Sequence, residues 1–268
     1  AVRSDYGEEA VSQPCFFETG KLDDPWVGQW LGVEGGDTHP EFQKTFSLPD
    51  KPCSARLYIC GLGLFEAYLN GEKAGNDLLA PFLNDYTEHF QYCTYDVTSL
   101  LAQDNTLSVL LGDGWYRGHF GLGEPTHYER PPALIAELRM EFADGHTETL
   151  CSDSGWQYRS SFTTLSDIYN GETQDYTTAP GDWKQPTLIP APGRLCDRYS
   201  SPLHYMESIP VKEVIHTSAG ETVLDFGQNF AGHVICTQPI PKDTAMTLEF
   251  GEVLQNGNFY HENYRHAE

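Results

Sequence analysis

Ala55-Arg-Leu-Tyr-Ile-Cys-Gly-Leu-Gly-Leu-Phe-Glu-Ala-Tyr-Leu-Asn-Gly71 reads as two β-strands and a tight turn. Residues 56–60 and 65–69 alternate side-chain character and are rich in aromatic and aliphatic groups, the pattern of a pleated strand with one buried face. Gly61 and Gly63 between them supply a turn or a close backbone approach. Asn70-Gly71 is the favoured pair for a two-residue hairpin, because both residues tolerate positive φ. The pattern repeats outward. Residues 107–111 read as a strand ended by Gly112-Asp113-Gly114. Residues 134–142 alternate towards Asp144-Gly145, and 147–150 return as the partner. Residues 96–101 suit a single helical turn, with Asp96 or Thr98 as its cap. Helical periodicity is otherwise scarce.

Many short strands separated by Gly, Pro, Asn and Asp imply an all-β chain of β-sandwich, jelly-roll-like domains. Pro180, Pro186, Pro190, Pro192 and Pro202 interrupt the pattern, since proline cannot donate to a ladder. The expected organisation is a first sandwich over 1–185, a proline-rich linker over 186–200, and the incomplete start of a second sandwich over 201–268. Strands are expected there at 211–217, 222–226, 233–238 and 245–250. A sandwich short of its last strand would expose an edge.

The balance of 16 Lys plus Arg against 39 Asp plus Glu gives a net charge of −23. Nucleic acid is disfavoured as a partner, because binding it requires cations that displace phosphate counterions. An anionic membrane is repelled for the same reason, and no apolar run approaches spanning length. The charge suits a neutral or cationic ligand, or simply a solvated acidic surface. Seven cysteines without a CxxC pair argue against a zinc site and against a disulfide framework. Cys60 after Leu57-Tyr58-Ile59 and Cys236 after Val234-Ile235 read as buried thiols in strands. Reduced thiols place the chain in the cytoplasm. The alternative is a secreted or periplasmic protein whose leader has been removed.

The opening stretch resembles the N-terminal domain of bacterial α-L-rhamnosidases. So do Leu79-Ala-Pro81, Tyr92-Cys-Thr-Tyr-Asp-Val-Thr98, Leu111-Gly-Asp-Gly-Trp-Tyr-Arg-Gly118 and Ser166-Asp-Ile-Tyr-Asn-Gly-Glu172 with Asp175-Tyr176 and Asp182-Trp183. Asp225-Phe-Gly-Gln-Asn-Phe-Ala-Gly232 resembles the opening of the next domain of these enzymes. Gly251-Glu-Val-Leu-Gln-Asn-Gly257 and Asn263-Tyr-Arg-His-Ala267 continue it. The similarity covers about residues 16–268 in one order. It implies a parent enzyme that hydrolyses terminal α-L-rhamnose from plant glycans or glycosides with inversion. The catalytic carboxylates would lie on an (α/α)6 barrel beyond these residues, so no catalytic residue is assigned in this chain. On this expectation the chain alone is an inactive scaffold for the active site, with the catalytic domain as its partner. The alternatives are an independent module that binds rhamnose or plant polysaccharide, and a purely structural pair of domains.

Sugar recognition needs an aromatic face for the apolar side of the ring and amides or carboxylates for its hydroxyls. Two groups of residues offer both. Asn84, Asp85 and Tyr86 follow Pro81 and join Trp115 and Tyr116. Asp167, Tyr169, Asn170, Glu172 and Asp175 form the second group. Some family members carry a rhamnose-binding module in which calcium helps to hold the sugar, which makes Asn84 and Asp85 candidate calcium donors. Calcium takes about six to eight oxygens, and no dense acidic loop of the EF-hand kind is present. Packing explains the aromatic residues equally well. Asn70, Gly71, Asp96, Asp225, Gln228 and Asn229 are read as structural motif residues, with a ligand-facing Gln228-Asn229 pair as the alternative.

Overall fold

The computed structural model describes residues 1–34, 39–119, 128 and 131–264. In chain order the strands are β1 (Val2–Arg3), β2 (Glu9–Ala10), β3 (Trp30–Gly32), β4 (Pro40–Ser47), β5 (Ser54–Leu62), β6 (Leu64–Leu69), β7 (Glu72–Lys73), β8 (His89–Asp96), β9 (Asp104–Gly112) and β10 (Ala133–Glu141). Then follow β11 (Thr147–Cys151), β12 (Gln157–Ser160), β13 (Thr163–Asp167), β14 (Gly171–Gln174), β15 (Thr187–Ile189), β16 (Arg194–Asp197), β17 (Glu213–His216), β18 (Thr222–Asp225), β19 (Val253–Gln255) and β20 (Asn258–Tyr260). One short helix, α1 (Gly114–Arg117), follows β9.

Two sheets face each other. One has seven strands in the order β15-β3-β10-β5-β8-β16, with β11 also paired to β10. The other has five in the order β12-β4-β9-β6-β7. Pairing is antiparallel except where β16 lies parallel to β8. The period of two sets the core. In β9, Leu107, Val109 and Leu111 point inward, while Thr106, Ser108 and Leu110 remain partly exposed. They meet Leu57, Ile59, Leu134, Ala136 and Leu138 of the opposite sheet. Each buried Leu or Ile contributes about 1.5–3 kcal/mol to holding the layers together.

The seven-stranded sheet is buried on its other face as well. Trp30, Cys60, Leu62, Phe90, Tyr92, Ala133 and Ile135 pack beneath Tyr86 and Tyr116, with Trp26 and Tyr128 against them. For this reason β10 is buried almost throughout and does not show simple alternation. The five-stranded sheet has no such second cover among the described residues.

The hairpin turn takes the expected form. Asn70 has φ +56° and Gly71 φ +83°, and Tyr68 and Leu69 pair with Lys73 and Glu72. Gly145 has φ +86° between β10 and β11. At Asp96 the carboxylate accepts from the Thr98 amide at 3.0 Å and opens a 3-10 turn over Thr98–Leu100. The short turn therefore begins at Thr98, with Asp96 bracing it.

Several expectations meet a different structure. Residues 186–200, expected as a linker, supply β15 and β16, the two outer strands of the seven-stranded sheet. The prolines lie outside these short ladders, so they do not prevent pairing. Strands appear at 213–216 and 222–225, forming one hairpin, and β19 and β20 form another. Residues 233–238 and 245–250 are not strands. Their alternation supplies a face but no neighbouring ladder, and a strand exists only through pairing. Cys60 is buried as expected, whereas Cys236 is exposed on that unpaired segment. His266 and Ala267 lie outside the described residues. No described helix is long and apolar enough to cross a membrane.

Candidate functional site

The first group of candidate residues divides between core and surface. Asn84 is buried, and its Oδ1 accepts from the Gln91 amide at 2.8 Å and from Gln91 Nε2 at 3.3 Å. Asp85 next to it is exposed, and its Oδ1 accepts from the Thr87 amide at 3.1 Å and the Thr87 hydroxyl at 2.6 Å. The Thr87 hydroxyl and then its amide hold the Asp85 carboxyl below its ordinary value. Tyr86 and Tyr116 are core residues, and Tyr116 stacks on Tyr128 with ring centres 5.4 Å apart. Trp115 is half-buried and meets Phe82 edge-to-face at 5.2 Å.

The Asn84 oxygen is turned inward to Gln91, and Oδ1 of the Asp85 carboxylate is committed to Thr87. Among the described residues no group of three or more His, Cys, Asp or Glu side chains is placed to hold a metal ion.

The second group is organised around Asp167. Its Oδ2 accepts from the His119 amide at 2.9 Å and from His119 Nδ1 at 2.8 Å. Its Oδ1 accepts from the amides of Tyr169 at 2.7 Å and Asn170 at 2.9 Å. Burial opposes the ionised form, but the His119 bond and the backbone amides outweigh it and pull the carboxyl down to about 2. Asp167 thus ties the β13–β14 turn to the end of the α1 segment. Glu172 and Asp175 do not join it. Glu172 is exposed and accepts from Gln174 Nε2 at 2.6 Å. Asp175 accepts from the Thr177 amide at 2.8 Å and the Thr177 hydroxyl at 2.6 Å. Tyr169 is half-buried.

Of the structural motif residues, Asn70, Asp225 and Asn229 make hydrogen bonds within the chain. Asn70 Nδ2 donates to Leu100 O and to Asn105 Oδ1, each at 2.9 Å, and Asn70 Oδ1 accepts from the Thr106 amide at 2.8 Å. Asp225 Oδ1 accepts from the Gly227 amide at 2.6 Å. Asn229 reaches across sequence instead of bracing its own bend: its Nδ2 donates to Glu252 Oε1 at 3.3 Å, and Asn263 Nδ2 donates to Glu252 Oε2 at 3.3 Å. Gln228 is exposed.

One polar centre escaped the sequence reading. Asp77 is almost fully shielded and accepts from the Arg198 guanidinium, from His204 Nε2 at 2.8 Å and from the Tyr95 hydroxyl at 3.2 Å. Nothing in its local motif marks it, because Arg198 and His204 both lie more than a hundred residues away.

Two β-sheets on a shared core, followed by two hairpins, place the chain among all-β sandwich proteins. Residues 50–212 match the α-L-rhamnosidase N-terminal domain, and residues 215–268 match the bacterial α-L-rhamnosidase concanavalin-like domain. The chain therefore belongs to the α-L-rhamnosidase N-terminal domain family. It is 35% identical to an α-L-rhamnosidase of Streptomyces avermitilis over 85% of its own length and 24% of that protein's. It is 28% identical to an α-L-rhamnosidase of Alteromonas sp. over 96% of its length and 31% of that protein's. Thus it spans roughly a quarter to a third of the curated relatives it matches. Among solved structures, the α-L-rhamnosidase of Aspergillus terreus superposes with a TM-score of 0.66 at 31% identity, over 76% of this chain and 26% of that one. The Streptomyces avermitilis enzyme, solved with L-rhamnose, superposes with a TM-score of 0.63 at 33% identity, over 75% of this chain and 20% of that one.

Proposed function

We propose that this chain is the non-catalytic N-terminal part of an α-L-rhamnosidase, and that it serves as scaffold for an active site built by the rest of the enzyme. The observation that carries this reading is the ordered match to two domains, in a chain that spans 24% to 31% of these two curated relatives. The geometry supports it. The acidic side chains of both candidate groups are committed to local amides and hydroxyls, as Asp85, Asp167 and Asp175 are. A glycosidase instead needs one carboxylic acid and one carboxylate facing across the scissile bond. The substrate of the whole enzyme is terminal α-L-rhamnose on a glycan or glycoside.

The test is release of p-nitrophenol from its α-L-rhamnoside, by this chain and by an enzyme in which the same residues are joined to a catalytic domain. Turnover by the joined enzyme alone is expected. Turnover by residues 1–268 themselves overturns the reading.

A further inference from the structure

Asn70-Gly71, Asn170-Gly171 and Asn256-Gly257 each lie at a hairpin turn. The Asn-Gly step is chemically labile as well as turn-forming. Glycine has no side chain to shield its amide nitrogen, so that nitrogen can reach the Asn Cγ. Space does not separate the three sites, because an added Cβ at Gly71, Gly171 or Gly257 meets nothing within 4 Å. The partners of the carboxamide do. Asn70 is clamped at both ends, with Nδ2 donating to Leu100 O and Asn105 Oδ1 and Oδ1 accepting from the Thr106 amide. Asn170 Nδ2 lies 3.3 Å from His119 Nδ1, and the Asn170 backbone amide donates to Asp167 Oδ1 at 2.9 Å. The Asn256 carboxamide is exposed and has no hydrogen-bond partner among the described residues.

Tertiary support falls in the same order. β6 and β7 belong to the five-stranded sheet, and Leu69 beside the turn is buried in the core. β13 and β14 pair with each other and are tied to the α1 segment through Asp167. β19 and β20 pair only with each other, three residues to three, and none of the six is buried. Asn256 has φ +54° and Gly257 φ +79°. Ring closure needs the Asn to leave this left-handed turn, so its rate follows local opening, which is cheapest where packing is least.

We propose that Asn256-Gly257 is a self-modification site at which the folded chain deamidates ahead of its other Asn-Gly steps. The Gly257 nitrogen attacks Asn256 Cγ and forms a C–N bond. The carboxamide C–N bond breaks, and the Gly257 proton leaves with that nitrogen as ammonia. Water then opens the succinimide at either carbonyl, giving aspartate or isoaspartate, and nothing is oxidised or reduced. Only isoaspartate routes the main chain through Cβ and Cγ. That adds a backbone atom to a two-residue turn whose register pairs Gln255 with Asn258. The residues just beyond the turn hold the β17–β18 turn. Asn258 Oδ1 accepts from the Ser218 hydroxyl at 3.0 Å and the Ala219 amide at 3.3 Å, and the Phe259 amide donates to Glu221 Oε2 at 3.0 Å. Isoaspartate at 256 therefore uncouples the two hairpins, whereas aspartate leaves them joined. None of this depends on the rhamnosidase reading.

The experiment ages the full 268-residue chain in mildly alkaline buffer, native and in urea, and follows each Asn-Gly step by peptide mapping. In the native chain Asn256 is expected to convert about tenfold or more faster than Asn70, with Asn170 between them. In urea that order is expected to vanish. Labelling with an isoaspartyl methyltransferase should mark the Asn256 peptide, and Asn256→Gln should abolish the mark there. The isoaspartyl form, resolved by ion exchange, is expected to exchange the Ala219 and Phe259 amides about tenfold faster, while Asn256→Asp keeps them slow. Native Asn70 converting as fast as Asn256, or the same order persisting in urea, overturns the site. Slow exchange at both amides in the isoaspartyl form overturns the uncoupling.

Discussion

Lys21 Nζ lies 2.6 Å from Glu137 Oε2, and the two side chains are only 1% and 0% exposed. Glu137 sits mid-strand in β10 on the outer face of the seven-stranded sheet, where an apolar residue belongs. It also accepts from the Val27 amide and, at 3.0 Å, from the Gly28 amide. Lys21 lies over the rings of Trp26 and Tyr58, at 4.7 and 5.3 Å. One buried carboxylate thus straps the segment before β3 onto the sheet and closes the second cluster.

Removing Glu137 leaves the Lys21 ammonium buried without its counter-charge, whereas removing Lys21 leaves Glu137 paired with Arg139 Nη2 at 3.2 Å. Glu137→Gln is expected to cost about 3–5 kcal/mol and Lys21→Met less, seen as a lower urea midpoint with little change in slope. A loss under about 1 kcal/mol would show that the strap is solvated and contributes little.

The Asp167 carboxyl is held near 2 against an ordinary 3.8. A group with a depressed folded value adds stability that is complete above its unfolded value and is lost as pH falls through the folded one. Melting temperature is therefore expected to fall between about pH 4 and pH 2. Asp167→Asn should begin lower at neutral pH and fall less steeply across that window. Equal acid slopes for the two proteins would remove Asp167 from the account.

The architecture was legible because its signals are local. Asn70-Gly71 and Asp144-Gly145 fix turns by backbone conformation, and alternation around them fixes which side chains face inward. Tyr116 and Tyr86 misled as sugar-facing candidates because an aromatic beside amides has the same sequence whether it faces a ligand or a second cluster. The Asp77 centre was illegible for a geometric reason: Arg198 and His204 become its neighbours only through the fold.

At the hairpin, Asn70 and Gly71 carry different loads. An added Cβ at Gly71 meets nothing within 4 Å, so Gly71→Ala costs only left-handed backbone strain, about 1–2 kcal/mol. Asn70→Ala loses three hydrogen bonds that tie the turn to residues 100–106, as well as a residue tolerant of positive φ. It is expected to cost more than Gly71→Ala by thermal denaturation. The reverse order would mean that backbone conformation alone holds this corner.

Two side chains govern how residues 198–204 leave the sandwich. Asp77 gathers Arg198, His204 and Tyr95, while Gln91 Oε1 accepts from the amides of Tyr199 at 3.1 Å and Ser200 at 3.3 Å. The Leu78 amide donates to Leu203 O at 2.9 Å between them. Asp77→Asn removes the counter-charge of a guanidinium that cannot deprotonate, so the segment is expected to detach locally without unfolding the core. Hydrogen exchange at Leu78, Tyr199 and Ser200 should then rise by about tenfold or more, while amides within β10 hold their protection. Gln91→Ala should accelerate Tyr199 and Ser200 but leave Leu78 slow. If both variants accelerate all three amides equally, the segment opens as one unit, and the carboxylate and the carboxamide are not separate clamps.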